Sequence, residues 1–95
     1  EIGYFYKYLR IVSKISVAIL EDEKELAEQF QILLSSSDDL KCHSIFYSGL
    51  DAYNNLKENP CDVVLADINV PGLSGIEVVK KLKALYPKMQ FLMCT

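Results

Sequence analysis

Several things are scarce in this chain of 95 residues, and each scarcity removes a class of function. The one histidine, His43, falls inside an apolar run read as a strand, which makes it a structural or merely exposed residue rather than a ligand. Three cysteines, Cys42, Cys61 and Cys94, are odd in number, widely spaced and without a C-x-x-C pair. Each lies in or beside an expected strand, so they read as small buried apolar residues of a reducing, cytoplasmic compartment. No dense Lys/Arg stripe is present and the net charge is −3, which argues against a nucleic-acid surface. No apolar run approaches the ~20 residues that span a membrane. No G-x-G-x-x-G or G-K-[ST] follows the first strand, which disfavours a nucleotide-binding fold.

What remains is the balance of one globular domain, with 51% apolar and 24% charged residues, near the lower end of what buries a self-sufficient core. The opening EIGYFYKYLRIVSK lacks the uninterrupted apolar region and small-residue cleavage site of a signal peptide, because Lys7 and Arg10 break it up. Ile2, Phe5, Leu9 and Val12 fall at helical spacing. Residues 1–15 are therefore read as an upstream linker, extra helix or expression remnant, with partner docking as the lesser reading.

From Ser16 onward, strand and helix patterns alternate. SVAIL (16–20) is a short apolar run bounded by charge, as a fully buried strand requires. A helix follows, with Leu26, Phe30, Leu33 and Leu34 expected on its inner face. The Ser/Asp cluster at 35–39 ends it, and LKCHSIF (40–46) is a second strand. Residues 48–58 form a short helix capped by Ser48, with Leu50, Tyr53 and Leu56 expected inward and Asn59-Pro60 as its stop. DVVLA (62–66) is the third and most apolar strand. After the Pro71-Gly72 turn, Ser74 and Glu77 make a capping box for a third helix. Ile76, Val79, Leu82 and Leu85 are expected to face the core there, and MQFLMCT (89–95) is a fourth strand. This alternation predicts an α/β, doubly wound parallel sheet with right-handed crossovers.

In open parallel sheets, chemistry gathers beyond the carboxyl ends of the strands. Strand one ends in Glu21-Asp22-Glu23, strand three in Asp67 and strand four in Thr95. If strands one and three are neighbours, Glu21, Asp22 and Asp67 converge. Like charges at ~4 Å repel by about 4 kcal/mol at an effective dielectric of 20. Either some of these groups carry raised pKa values or a divalent cation joins them, and an all-oxygen donor set suits Mg²⁺. The plainer reading is that Asp22 caps a helix and Asp67 opens a turn.

VAILEDE (17–23), DVVLADINVPGLSGIEVVKKLK (62–83) and FLMCT (91–95) closely resemble the receiver domain of bacterial two-component response regulators, over residues 16–95. The pattern Asp67, Asn69, Pro71, Gly75, with an acidic pair upstream, carries that resemblance. It implies a flavodoxin-like sheet of order 2-1-3-4 and a site in which Asp67 is the phosphoacceptor. It also implies that Asp22 and Glu21 hold Mg²⁺, that the Asn69 backbone carbonyl completes the metal shell, and that Thr95 supplies a switch hydroxyl. A histidine kinase or phosphotransfer protein is the implied donor, and transcription control through a C-terminal DNA-binding domain the implied output.

The pattern departs from the family in one respect. A complete receiver continues after the switch residue with a helix, a fifth strand ending in a lysine, and a final helix, whereas this sequence ends at Thr95. The expectation is an incomplete receiver whose fourth strand, left as an apolar edge, self-associates. Two rival functions stand beside the phospho-switch. One is a pseudo-receiver that binds partners without phosphorylation. The other is a Mg²⁺-dependent aspartyl phosphatase, although Asp67-Ile68-Asn69-Val70-Pro71 lacks that group's second carboxylate.

Overall fold

The computed structural model describes residues 14–94. Thr95 and nearly all of the leading segment read at 1–15 lie outside the described residues. The elements are β1 (Ile15–Leu20), α1 (Lys24–Ser35), β2 (Leu40–Phe46), α2 (Gly49–Leu56), β3 (Val63–Asp67), α3 (Gly75–Leu85) and β4 (Gln90–Cys94). All strand pairs are parallel, in the order β2-β1-β3-β4. The chain thus forms the doubly wound α/β sheet that its alternating pattern requires.

The order has a simple consequence. The chain steps from β1 to β2 in one direction, then returns past β1 to β3 and on to β4. Right-handed crossovers therefore place α1 on one face of the sheet and α2 and α3 together on the other. Side-chain alternation along β1 serves both faces. Ala18 and Leu20 join Phe46, Leu56, Val64, Ala66, Val78 and Leu82 in the core beneath α2 and α3. Val17 and Ile19, also buried, belong to the α1 face. Burial of each large aliphatic side chain contributes about 1.5–3 kcal/mol relative to exposure.

The helix faces differ from the sequence expectation by a rotation. On α3 the buried residues are Gly75, Val78 and Leu82, while Ile76 is 48% and Leu85 52% exposed. A run that steps by three residues, as Ile76, Val79, Leu82 and Leu85 do, drifts about 60° per step around a helix with 3.6 residues per turn. It cannot stay on one face. Likewise α2 buries Gly49, Ala52 and Leu56, leaving Leu50 exposed. On α1, Ala27 is buried and Leu33 is 65% exposed, because adjacent Leu33 and Leu34 point about 100° apart.

Two joints fix the sheet. At the amino ends of β1 and β3, the Asp62 carboxylate accepts from the Ser16 N–H at 2.8 Å and from its hydroxyl at 3.1 Å. In β2, Val17 is opposite Cys42 but Ala18 is opposite Ser44, so His43 is the extra residue of a β-bulge. The bulge reverses side-chain parity: Cys42 lies opposite Val17 of the α1 face, whereas Phe46 reaches the opposite core. His43 Nδ1 and the Ser44 hydroxyl are 2.9 Å apart, and that hydroxyl donates to the His43 carbonyl at 2.7 Å. The histidine is part of the scaffold.

Candidate metal centre

Because β1 and β3 are adjacent, their carboxyl ends bring Glu21, Asp22 and Asp67 together, with one carboxylate oxygen from each within 4.8 Å of the others. Glu21 is anchored by its N–H, which donates to the Phe46 carbonyl at 2.9 Å. Only 5% of it is exposed, and Oε2 accepts from the Glu23 N–H at 3.0 Å. Asp22 is exposed and Asp67 half-buried, so the cluster grades from a covered edge to an open one.

The N-cap of α1 is Glu23, not Asp22, and it makes no side-chain capping bond. Asp22 is left free of that duty. Asp67 does open a turn, because its Oδ1 accepts from the Asn69 N–H at 2.9 Å. That bond engages one oxygen of the carboxylate. Turn former and site residue are therefore compatible roles.

The loop after Asp67 is held along its length. The Ile68 N–H donates to the Cys94 carbonyl at 3.2 Å, and the Gly75 N–H to the Ile68 carbonyl at 3.1 Å. Val70 is buried in the main core. Gly72 has φ +75°, the left-handed region that glycine enters without steric cost. Gly75 lies so close to the strand end that a Cβ there would stand 2.3 Å from the Asp67 carbonyl oxygen. Ser74 caps α3, accepting from the Glu77 N–H at 3.3 Å.

Beside the carboxylates is a recess lined by Glu21, Glu23, Leu26, Phe30, Asp67 and Cys94. Its α1 wall is apolar, which strengthens electrostatic interactions within it. Loss of hydration on burial pushes the Glu21 carboxyl above its usual range, the neighbouring charges of Asp22 and Asp67 add to the rise, and the Glu23 N–H opposes it. An edge of this kind is short of positive charge. The donor set is all carboxylate oxygen, with no Cys or His in the cluster, and so fits a hard cation such as Mg²⁺ rather than zinc.

Of the residues singled out in the sequence, the structure unites Glu21, Asp22 and Asp67, places Asn69 two residues on in the loop, and leaves Thr95 outside the described residues. Two features were not anticipated: the Glu21–Glu23 bond and the Cys94 wall of the recess. The register that sets Cys94 opposite Asp67 requires the paired strands, so no local pattern announces it.

Comparison with known proteins agrees with this geometry. The sensory transduction protein LytT of Oceanobacillus iheyensis is 34% identical over 70 residues, which is 74% of this chain and 28% of that protein. The transcriptional regulatory protein DesR of Bacillus subtilis is 35% identical over 69 residues, 73% of this chain and 35% of that protein. The chain thus spans about a third or less of these relatives. Among solved structures, the response regulator domain of Thermotoga maritima CheB superposes with a TM-score of 0.79 at 27% identity, covering 85% of this chain and 60% of that one. The model of the response regulator receiver domain matches residues 17–95, and with its acidic edge on a 2-1-3-4 sheet this chain belongs to that family of two-component signalling domains.

Proposed function

We propose that this domain is a phospho-switch in which Asp67 accepts a phosphoryl group from the phosphohistidine of a kinase or phosphotransfer protein. The observation that carries this reading is the convergence of three carboxylates within 4.8 Å, with Asp67 held by the Asn69 N–H. One Asp67 oxygen keeps the hydrogen bond while the carboxylate attacks phosphorus. The donor's P–N bond breaks, its electron pair returns to the imidazole, and an aspartyl phosphate forms. Phosphoryl transfer depends mainly on positioning and charge neutralisation. The strand end and the pinned loop supply the positioning. Glu21, Asp22, Asp67 and the Asn69 backbone carbonyl would hold Mg²⁺, which when bound neutralises charge on the transferring oxygens. The Thr95 hydroxyl is assigned to the switch that reads the phosphoryl group.

The domain carries out no chemistry beyond its own phosphoryl transfer, and residues 16–95 act as its receiver unit. Its output is transcription, a reading supported by its similarity to the transcriptional regulatory protein DesR. Cytoplasmic placement is consistent with three free cysteines. Among the described residues, no helix is long and apolar enough to cross a membrane. The test is intact-mass spectrometry after incubation with acetyl phosphate, with and without Mg²⁺, on the wild type and Asp67→Asn. A Mg²⁺-dependent phosphoryl adduct that disappears in the variant is expected. An unmodified wild type would point instead to a partner-binding module that is not phosphorylated.

A further inference from the structure

Gly49 is the first residue of α2, directly after the Ser48 cap, and it is buried. Glycine is a poorer helix former than alanine, and a glycine buried at the start of α2 calls for a packing reason. The reason lies across the fold. A Cβ on Gly49 would stand 1.7 Å from the carbonyl oxygen of Leu73, 2.7 Å from its carbonyl carbon and 3.2 Å from its Cβ. The obstacle is backbone, which cannot swing aside as a side-chain tip does. Leu73 belongs to the loop between Asp67 and α3, the same loop that carries Asn69.

That loop is clamped at both ends. At one end Gly75 packs on the Asp67 carbonyl, at 2.3 Å from its would-be Cβ. At the other, α2 closes on Leu73 through Gly49, while Val70 is buried between them in sequence. From this geometry we infer that Gly49, remote from the acidic cluster in sequence, is a positioning residue for the metal centre: by letting α2 approach Leu73, it sets the path of the Asn69 loop. The inference rests on the Mg²⁺-binding reading above. It assigns to the β2–α2 corner a share in metal affinity although no atom of that corner belongs to the carboxylate cluster. The outer contacts that orient metal ligands commonly change affinity by 10–100-fold when removed.

The experiment is a Mg²⁺ titration of the full chain, following the amide resonances of Asp67, Ile68 and Asn69 by NMR. It compares the wild type with Gly49→Ala and Ala52→Gly, and each variant's stability is measured by urea unfolding. Ala52→Gly weakens the same helix from its core side without approaching the loop, so it reports what lost stability alone does to affinity. The expected result is about a tenfold or greater loss of Mg²⁺ affinity in Gly49→Ala, shifted Ile68 and Asn69 resonances before metal is added, and near-wild-type affinity in Ala52→Gly. Wild-type affinity in a folded Gly49→Ala, or an equal loss in Ala52→Gly, overturns the inference. If Gly49→Ala does not fold, the wild-type titration decides: Mg²⁺-dependent shifts of the Gly49 and Leu73 amide resonances are expected, because coupling between two sites is reciprocal, and their absence overturns the inference. A wild type that shows no Mg²⁺-dependent shifts removes the underlying metal reading, an outcome distinct from a wild type that binds and a variant that binds equally well.

Discussion

Glu21 shows how a buried carboxylate can weaken a fold. It is 5% exposed, and burial with two neighbouring carboxylates raises its pKa. A folded-state pKa above the unfolded one means that stability is greatest while the group is protonated and declines as pH rises from the ordinary glutamate range through the raised value. Glu21→Gln removes that decline. In the absence of divalent cations, the variant is expected to be more stable than the wild type at neutral pH, read as a higher urea midpoint, and to show less of the stabilisation expected from added Mg²⁺. An unchanged midpoint in metal-free buffer at pH 7 would show that water or rearrangement already relieves the charge. The acidic residues themselves were legible in the sequence, since Glu21, Asp22 and Asp67 each follow an apolar run. The Glu21–Glu23 bond was not, because it depends on backbone direction after β1 has paired.

At the scale of elements, order and caps were readable, but helix rotation was not. Ser48 and Ser74 cap α2 and α3 as their positions before the helices implied. Leu50, Ile76 and Leu85 were expected inward and are outward, because glycine and alanine at 49, 52 and 75 occupy the close-packed positions where large side chains would hold the elements apart. The joint between α2 and α3 was equally hidden. The Tyr86 hydroxyl, just past α3, donates to the carbonyl of Lys57, the C-cap of α2, across 29 positions of sequence. Tyr86→Phe keeps the ring and deletes the donor, leaving an orphan carbonyl at a half-buried site. A loss of about 1 kcal/mol is expected, with an unchanged denaturant slope. A smaller midpoint shift would mean that water takes over the carbonyl.

Across the whole molecule, alternation predicts a parallel sheet with right-handed crossovers, whereas the order 2-1-3-4 was implied by the resemblance to receiver domains and is the order observed. The apolar β4 edge was anticipated too, but the register shift in β2 at the other edge was not. Among the described residues β4 pairs only with β3, and Leu92 is 62% and Met93 39% exposed along it. An edge strand with exposed apolar side chains offers unpaired backbone groups to another chain. This polypeptide is therefore expected to show a concentration-dependent mass in light scattering, and Leu92→Lys to shift it towards the monomer. A wild-type mass that stays monomeric across the accessible range would rule the association out.

The bulge at His43 bears on where such association ends. A sheet with two regular edges can grow from both, and repeated addition gives open ladders. Here the opposite edge, β2, changes register between its third and fifth residues, so an incoming strand cannot match both halves at once. Among the described residues, β4 is thus the more regular edge and β2 the less receptive one. If copies of this polypeptide pair through β4, a single twofold contact would use that edge of each, and association is expected to stop at two copies.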